Sequence, residues 1–395
     1  MPIGLYISVP FCRTKCSYCN FASDVFSKAI FERYVDRICE DLEKSRSTAE
    51  RAGGLLEHDV DSVYLGGGTP TILTSQQLER IFVTVRQNFR LLPDAEVTVE
   101  CAPGTLTTPV VEALLRCRVS RISLGVQSFV DQEAASVGRQ HKRTTVLDDI
   151  ARLRSAGISN INVDLIAGLP HQTAESWGVS LAETIASGVP HVSVYMLEVD
   201  EDSRLGRELL AGGTRYHAHF VPDDELTADL YVEACRRLDS AGIPQYEISN
   251  FARPDLASRH NLKYWTRQPY LGFGVDAHSM LLSDDRSLDA VRFSTPDALE
   301  AFVAGGAPEV TRVSKEAALE ECFFLGLRLT SGVDLTALRS RFGEQLVREH
   351  CAAIAQGVGE GLLVHEGQRI RLTERGRLLS NEVFARFLSS REPVH

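Results

Sequence analysis

In the first half of the chain, short continuous apolar runs alternate with stretches in which apolar residues recur at helical spacing. Between short apolar runs, apolar residues recur every three or four positions, as in Phe31, Tyr34, Val35, Ile38 and Leu42, which indicates amphipathic helices. The runs themselves have the length and the β-branched composition of buried strands. They lie at residues 5–9, 60–65, 96–100, 121–126, 160–166 and 191–197.

This alternation predicts an α/β fold with six β/α units in series. Consecutive units of this kind form a parallel sheet, because parallel neighbours need a helical crossover between them. Six units are fewer than the eight of a closed TIM barrel. We therefore expect an open (β/α)6 partial barrel with a wide lateral cleft, and the chemistry at the carboxyl ends of its strands.

The alternation of strands and helices stops near residue 222, which predicts a division of the chain into three parts. Residues 1–221 form the barrel core, residues 222–309 a central α+β extension, and residues 310–395 a small C-terminal domain. Helical stretches followed by two short strands, at 362–365 and 369–372, make this last part similar to a winged helix. Such modules bind DNA or pack against other domains, and the acidic chain favours packing.

Composition narrows the classes of function. The chain has 395 residues, a formal net charge of −11 and nine cysteines. Six of the cysteines are scattered singly among apolar residues, which is typical of buried free thiols in a reducing compartment. No leader or membrane span is recognisable, so we expect a cytoplasmic protein. The negative charge disfavours a nucleic-acid partner.

Cys12, Cys16 and Cys19 follow the first predicted strand with the spacing C-x3-C-x2-C. Thiolates are the ligands of iron–sulfur clusters, and three of them on one loop can hold three corners of a cubane. The fourth iron would then stay open for a substrate or cofactor. Structural zinc is the alternative, but it needs four ligands and no fourth lies near.

Further polar or glycine-rich features follow the next strands. The turn at residues 66–70, Gly-Gly-Gly-Thr-Pro, follows the second strand, and its glycines allow a ligand to approach the backbone. Glu100 and Asp164 stand at strand ends and could accept hydrogen bonds from hydroxyl or amino groups. Arg139 could pair with a carboxylate. Taken alone, each of these residues is better explained by a local salt bridge or a helix cap.

A second constellation lies in the predicted extension, where His260 is followed by Tyr264 and Trp265. An imidazole can ligate heme iron, and aromatic rings can stack on a porphyrin. On its chemistry alone, a single histidine is more often a hydrogen-bonded residue of the core or the surface.

Taken together, these segments resemble radical S-adenosylmethionine (SAM) proteins of the oxygen-independent coproporphyrinogen-dehydrogenase-like group. The resemblance runs nearly end to end and is carried by YISVPFCRTKCSYCNF, YLGGGTPTIL, NVDLIAGLPHQT and SRHNLKYW, among others. It implies that Cys12, Cys16 and Cys19 bind a [4Fe–4S] cluster and that His260 is a heme ligand. It also implies SAM contacts by Tyr6, Tyr18, Gly67, Gly68, Thr69, Glu100, Gln127, Arg139 and Asp164.

Within that group, the chain looks most like the heme chaperones, which bind heme and transfer it to hemoproteins. The dehydrogenases usually carry a fourth cysteine where Phe21 stands, and they have an N-terminal extension before the first strand. Ser8, Asn20 and Cys101 depart from the chaperone pattern, but none removes a cluster ligand.

The resemblance implies heme or porphyrin and client hemoproteins as partners, with the membrane face as one place of delivery and a homodimer as one assembly. The alternative is an oxygen-independent coproporphyrinogen III dehydrogenase, which forms a 5′-deoxyadenosyl radical for oxidative decarboxylation of propionates. A winged-helix nucleic-acid binder is the third class, and the net charge disfavours it.

Overall fold

A computed structural model describes residues 1–201 and 203–388 of the chain. Its main feature is one mixed sheet of 13 strands, and a second sheet of three strands lies toward the C terminus. The strands are β1 (Ile3–Val9), β2 (Gly54–Leu55), β3 (Asp59–Gly67), β4 (Arg90–Cys101), β5 (Arg121–Gln127), β6 (Asn160–Ala167), β7 (His191–Met196), β8 (Gln245–Glu247), β9 (Asn250–Ala252), β10 (Tyr270–Phe273), β11 (His278–Ser283), β12 (Ala290–Ser294), β13 (Glu309–Val313), β14 (Val333–Asp334), β15 (Leu363–Glu366) and β16 (Arg369–Leu372).

The α-helices follow the strands of the first half one by one and dominate the C-terminal part. They are α1 (Ala29–Glu43), α2 (Ser45–Ala52), α3 (Ser75–Asn88), α4 (Thr108–Arg116), α5 (Asp131–Ser136), α6 (Arg143–Ser155), α7 (Ala174–Ser187), α8 (Arg204–Ala211), α9 (Asp224–Ser240), α10 (Arg259–Trp265), α11 (Leu299–Val303), α12 (Lys315–Gly326), α13 (Leu335–Phe342), α14 (Glu344–Glu349), α15 (Cys351–Gly359), α16 (Glu374–Leu378) and α17 (Ser380–Ala385). No helix in the described residues is both long and apolar enough to cross a bilayer.

The parallel half of the sheet confirms the predicted open partial barrel. Strands β1, β3, β4, β5, β6 and β7 lie side by side in sequence order, and every neighbouring pair is parallel. The path ends at β13 on one side and β8 on the other, so the sheet does not close. Strands such as β1 are apolar along nearly their whole length because helices and the barrel interior bury both faces.

Local signals in the sequence fix several element boundaries. Helix α3 begins after Thr74, whose hydroxyl accepts a hydrogen bond from the Gln77 amide at 3.2 Å. The Thr74 amide in turn donates to the Gln77 side-chain oxygen Oε1 at 3.0 Å. This reciprocal pair satisfies two amides that the first turn of a helix leaves without partners.

The region after residue 222 extends the sheet at both edges. At one edge β9 pairs antiparallel with β7, and β8 pairs with β9. At the other edge β10 pairs parallel with β1, and β11, β12 and β13 continue antiparallel from it. The predicted extension therefore adds strands to the barrel sheet, while the three-way domain division stays a prediction.

The C-terminal part packs helices against the small sheet, in the order β14, β16, β15. Its apolar residues form a second core that also includes Met280 and Ala290 of the sheet edge. Helices α14 and α15 follow each other with only His350 between them. The helices and the β15–β16 hairpin agree with the winged-helix-like prediction. The shared core packs this C-terminal part against the edge of the barrel sheet.

Candidate functional site

The carboxyl ends of the parallel strands carry the predicted SAM and cluster residues. The cysteine loop follows β1, the glycine turn follows β3, Glu100 lies at the end of β4, and Gln127 ends β5. Asp164 lies inside β6, opposite Gly125 of β5. Because neighbouring parallel strands end at one edge, five separate segments contribute to one mouth of the barrel.

The cysteine loop is held by backbone hydrogen bonds to neighbouring segments. The Cys12 amide donates to the Asp24 carbonyl at 3.0 Å, and the Ser17 amide donates to the Val137 carbonyl at 3.2 Å. All nine cysteines are free thiols in the structure. The loop is thus fixed at several points while its three thiols stay available.

The thiols of this loop lie among hydroxyl groups in a partly buried environment. The Thr69 hydroxyl is 4.0 Å from the Cys12 sulfur, and the sulfur of Cys19 is 3.8 Å from the Ser23 hydroxyl. Burial raises the pKa of the Cys12 thiol above its ordinary value. A bound metal would reverse this shift, because coordination favours the thiolate.

The donor set of the loop matches an iron–sulfur cluster in its chemistry. In residues 1–201 and 203–388, no three His, Cys, Asp or Glu side chains are placed to hold a single metal ion together. A cubane makes a different demand, because its three thiolates bind three separate iron atoms and lie farther apart than the ligands of one ion. Three free thiols on one loop therefore suit a cluster better than a single ion.

The glycine turn and Glu100 form one hydrogen-bonded unit. The Gly67 amide donates to Glu100 Oε2 at 3.0 Å, and the Tyr64 hydroxyl donates to Oε1 at 2.7 Å. Gly67 has a φ of +100°, which favours glycine. Burial raises the pKa of Glu100 to about 7, although both hydrogen bonds act in the opposite direction. Glu100 is therefore suited to accept from, or exchange a proton with, a ligand near neutral pH.

Arg139 and Tyr18 form the next part of the mouth. Arg139 Nη2 donates to the Tyr18 hydroxyl at 3.3 Å, and Gly125 leaves room for the guanidinium. Arg139 Nε is buried without a hydrogen-bond partner among the described residues. A buried, unused donor on a cation is what an anionic ligand group such as a carboxylate would satisfy.

Asp164, like Glu100, accepts two hydrogen bonds from the protein. The Ser123 hydroxyl donates to it at 3.1 Å, and the Asn162 side-chain amide donates to it at 2.7 Å. Burial raises the pKa of Asp164 above its ordinary value. The structure thus brings the predicted SAM residues to one side of the barrel, where both carboxylates already have protein partners.

The structure places His260 in the interior. Its side chain is 1% exposed, Nδ1 lies 3.0 Å from the Ser62 hydroxyl, and Nε2 lies 2.9 Å from the Tyr264 hydroxyl. Burial, assisted by the nearby charge of Lys263, lowers the pKa of His260 to about 3. The imidazole is neutral at physiological pH, and both of its nitrogens are engaged.

The aromatic partners of His260 have different surroundings. The Tyr264 ring packs edge-on against Tyr270 with centroids 4.6 Å apart. The indole of Trp265 lies under the Arg328 guanidinium, whose central carbon Cζ is 4.4 Å from the ring centroid. Tyr264 faces a cavity, whereas Trp265 is not among the residues that line it.

That cavity has a volume of about 430 Å³ and lies beside the glycine turn. Its walls combine aromatic rings with a few polar groups, and they include Tyr6, Ser8, Pro10, Phe21, Ala22, Gly67, Tyr264, Tyr270, Val275, Asp276, His278, Ser279 and Arg292. Sequence reasoning did not assign Tyr270, Asp276, His278 or Arg292 to a site. Only the position of His278 next to a glycine-bearing loop could have drawn attention to it.

The positions that depart from the family pattern lie around this mouth. Ser8 and Phe21 line the cavity, and the Phe21 ring is 65% exposed. The Asn20 amide donates to Asp200 at 3.0 Å, and Cys101 is buried at the end of β4. An apolar ring thus faces the cavity at the position where the dehydrogenases carry a further thiol.

Comparisons with known proteins identify the family of the chain. The Radical SAM superfamily matches residues 6–183, and the HemN C-terminal domain matches residues 313–379. The heme chaperone HemW of Lactococcus lactis is 31% identical over 392 residues, covering 98% of this chain and 97% of the relative. That of Bacillus subtilis is 32% identical over 386 residues, covering 97% and 98%.

A solved structure supports the fold independently. The coproporphyrinogen III oxidase HemN from Escherichia coli superposes with a TM-score of 0.82, at 22% identity, over 98% of this chain and 90% of that one. At this identity the likeness concerns the fold alone. The sequence relatives, by contrast, match at about 30% identity along nearly their whole length. The chain therefore belongs to the radical SAM family that contains the HemW heme chaperones.

Proposed function

We propose that this protein is a heme chaperone, which binds heme and transfers it to hemoproteins, built on a core that holds a [4Fe–4S] cluster and SAM. The observation that carries the proposal is the end-to-end similarity to HemW heme chaperones, which includes the barrel, the edge strands and the C-terminal part. The fold alone would be equally compatible with an enzyme.

In this proposal Cys12, Cys16 and Cys19 hold the cluster. A cluster with one open iron supplies one-electron chemistry to SAM when both are bound. The hydroxyls of Thr69 and Ser23 would donate toward the sulfur atoms, which tunes such a site. The short hydrogen-bonded loop would keep the open corner directed toward the barrel mouth.

SAM would be bound by the residues at the strand ends. The unused Nε of Arg139 offers a donor to its carboxylate, and Glu100 offers an acceptor to amino or hydroxyl groups. Tyr6, Tyr18, Gly67, Gly68, Thr69, Gln127 and Asp164 complete the proposed contacts. The partly buried setting would exclude water from the ligand.

Heme would be bound next to this site, at the segment that contains His260, Tyr264 and Trp265. Tyr264 supports the location, since its ring faces the 430 Å³ cavity. With His260 as the iron ligand, as the resemblance implies, the ring would first have to release Ser62 or Tyr264. The transfer step would end on client hemoproteins, in the cytoplasm or at the membrane face.

The alternative, coproporphyrinogen III dehydrogenase, is less well supported. The exposed Phe21 ring replaces the further cysteine of the dehydrogenase pattern, and the relatives similar over the full length that are named above are heme chaperones. Porphyrin biosynthesis therefore enters the proposal only as the source of the heme.

The test combines an activity assay with a binding assay on anaerobically reconstituted protein. Coproporphyrinogen III, SAM and a reductant should yield no protoporphyrinogen, while a heme titration should give a saturable Soret band. Heme loaded on the protein should then pass to an apo-hemoprotein in excess. Steady formation of protoporphyrinogen, or the absence of a saturable Soret change, would contradict the proposal.

A further inference from the structure

One wall of the 430 Å³ cavity is formed by the edge strands and not by the motifs. We call Tyr270, Asp276, His278, Ser279 and Arg292 the edge-strand wall. In the sheet register, Tyr270 of β10 lies opposite Met280 of β11, and Met280 lies opposite Arg292 of β12. Because side chains two apart share a face of a strand, His278 belongs to the same face as Met280. Three strands thus direct Tyr270, His278 and Arg292 to one side.

The His278 imidazole is accessible, in contrast to that of His260. Its side chain is 67% exposed, and its Nε2 lies 3.6 Å from Asp276 Oδ1, beyond hydrogen-bond distance. An imidazole that has to break no hydrogen bond is the more available metal ligand. A carboxylate is a usual partner of a ligating histidine, and Asp276 lies near enough to become one after a small rotation.

Arg292 belongs to an ion-pair network with an excess of positive charge. Its Nη2 lies 3.0 Å from Glu321 Oε2, and Arg267 pairs with both Glu321 and Asp289. Arg341 is the third guanidinium of the network and lies 3.0 Å from Asp289 Oδ2. Three cations therefore share two carboxylates, and Arg292 Nε is buried without a hydrogen-bond partner in the residues that the structure describes. This network can accept one more carboxylate at the cavity.

The remaining walls suit a flat apolar ring. Tyr264 and Tyr270 pack edge-on with centroids 4.6 Å apart, and Phe21 exposes 65% of its side chain. The cavity volume of about 430 Å³ is in the range of cofactor and ligand sites, roughly 300–1,000 Å³. Aromatic walls, an accessible imidazole and an unsatisfied cation together correspond to a planar metal chelate with an acidic side chain.

We propose that the edge-strand wall is the heme-binding element of this protein, with the His278 imidazole on the iron and the Arg292 guanidinium on one propionate. The inference rests on the proposed function and keeps heme in the cavity that Tyr264 lines, but it moves the iron ligand from His260 to His278. It places heme beside Gly67 and Tyr6, at the same mouth as the SAM residues.

The test is a heme titration, followed at the Soret band, of the full chain and its variants. His278→Ala should bind heme about tenfold more weakly or worse, with a shifted Soret maximum, because the iron loses a ligand. The same variant should bind iron-free protoporphyrin IX like the wild type. His365→Ala, which changes an exposed histidine on β15, is the matched control and should leave the heme titration unchanged.

Arg292→Gln tests the second contact with a chemical control. It should weaken binding of heme about tenfold but should not weaken binding of heme dimethyl ester, which lacks the propionate charges. This comparison within one variant separates a lost contact from a disturbed ion-pair network, because disturbance would affect both ligands alike.

The outcomes separate this inference from the proposed function. If the wild type binds no heme, the proposed function fails and the assignment fails with it. If the wild type binds heme and His278→Ala retains its affinity and its Soret maximum, only the assignment to His278 is overturned. A Soret shift in His260→Ala with none in His278→Ala would also overturn it and would identify His260 as the ligand.

Discussion

The two sides of the barrel mouth are built in different ways. On the strand-end side, most candidate residues lie at or just after the end of a parallel strand, as do Cys12, Gly67 and Glu100. On the edge-strand wall, single residues from three strands meet through sheet register, as do Tyr270, His278 and Arg292. The first arrangement leaves contiguous motifs in the sequence, and the second leaves isolated residues. A contiguous motif therefore shows that the residues of a site are neighbours in the sequence. Its absence does not mean that a site binds its ligand weakly.

The largest expected effect separates the two sides directly. Cys16→Ser should abolish stable cluster assembly, because two thiolates and a hydroxyl cannot replace three thiolates on one loop. Heme binding at the edge-strand wall should persist, since Cys16 does not line the cavity. Iron and sulfide analysis after anaerobic reconstitution measures the first effect, and a Soret titration measures the second.

The control for this experiment is Cys351→Ser, which alters an exposed thiol on α15. It should assemble the cluster in wild-type amount. A Cys16→Ser protein that keeps its full iron and sulfide content would contradict the cluster assignment. Loss of heme binding together with the cluster would show that the two sides depend on each other.

Glu100 gives the next effect, as a dependence of stability on pH. Its pKa is raised from the ordinary 4.5 to about 7, so between these values the folded state binds more protons than the unfolded state. The free energy of unfolding should therefore fall as pH rises from about 4.5 to 7, by up to ~3 kcal/mol from this group. Glu100→Gln should remove that decline.

Urea unfolding at several pH values between 5 and 8 measures the slope for wild type and variant. Glu175→Gln, at an exposed position of α7, is the matched control and should keep the wild-type slope. Parallel pH profiles for wild type and Glu100→Gln would mean that Glu100 is ionised throughout. In that case Glu100 could not exchange a proton with a ligand near neutral pH.

Gly68 provides a steric test of the strand-end side. A Cβ at this position would lie 2.7 Å from the Val9 carbonyl oxygen and 2.8 Å from that of Phe11. Both atoms belong to backbone that cannot move cheaply, so Gly68→Ala should lower the free energy of unfolding by about 1–3 kcal/mol. It should also weaken SAM binding, because the turn must shift.

The matched control is Gly359→Ala at the end of α15, where a Cβ meets nothing within 4 Å. This change should be neutral or stabilising by up to ~1 kcal/mol, since alanine favours helix. Denaturant unfolding and isothermal titration with SAM measure the two properties. Equal stability of Gly68→Ala and wild type would mean that the turn is looser than its contacts indicate.

The sequence predicted the strands of the strand-end side well, because each of them is a short apolar run. These runs located β1 and β3 to β7. The roles of the residues at their ends stay predictions. The wall formed by His278 and Arg292 was not predictable, because it depends on β10 joining β1 from a distant part of the chain. The interior position of His260 was equally hidden, since its partner Ser62 lies on β3.

The smallest expected effect decides between the two histidines. Tyr264→Phe removes the hydroxyl that engages His260 Nε2 but keeps the aromatic ring at the cavity. The loss of this buried hydrogen bond should lower the free energy of unfolding by about 1 kcal/mol.

The same substitution frees the ring nitrogen that a heme ligand at position 260 would need. If His260 bound the iron, the affinity for heme should therefore rise, because no hydrogen bond has to be broken first. If His278 binds the iron, the affinity should not rise, and the Soret maximum should stay at its wild-type position. A Soret titration beside a urea melt of the same protein measures both quantities, and tighter heme binding by the less stable variant would transfer the ligand from the edge-strand wall to the interior.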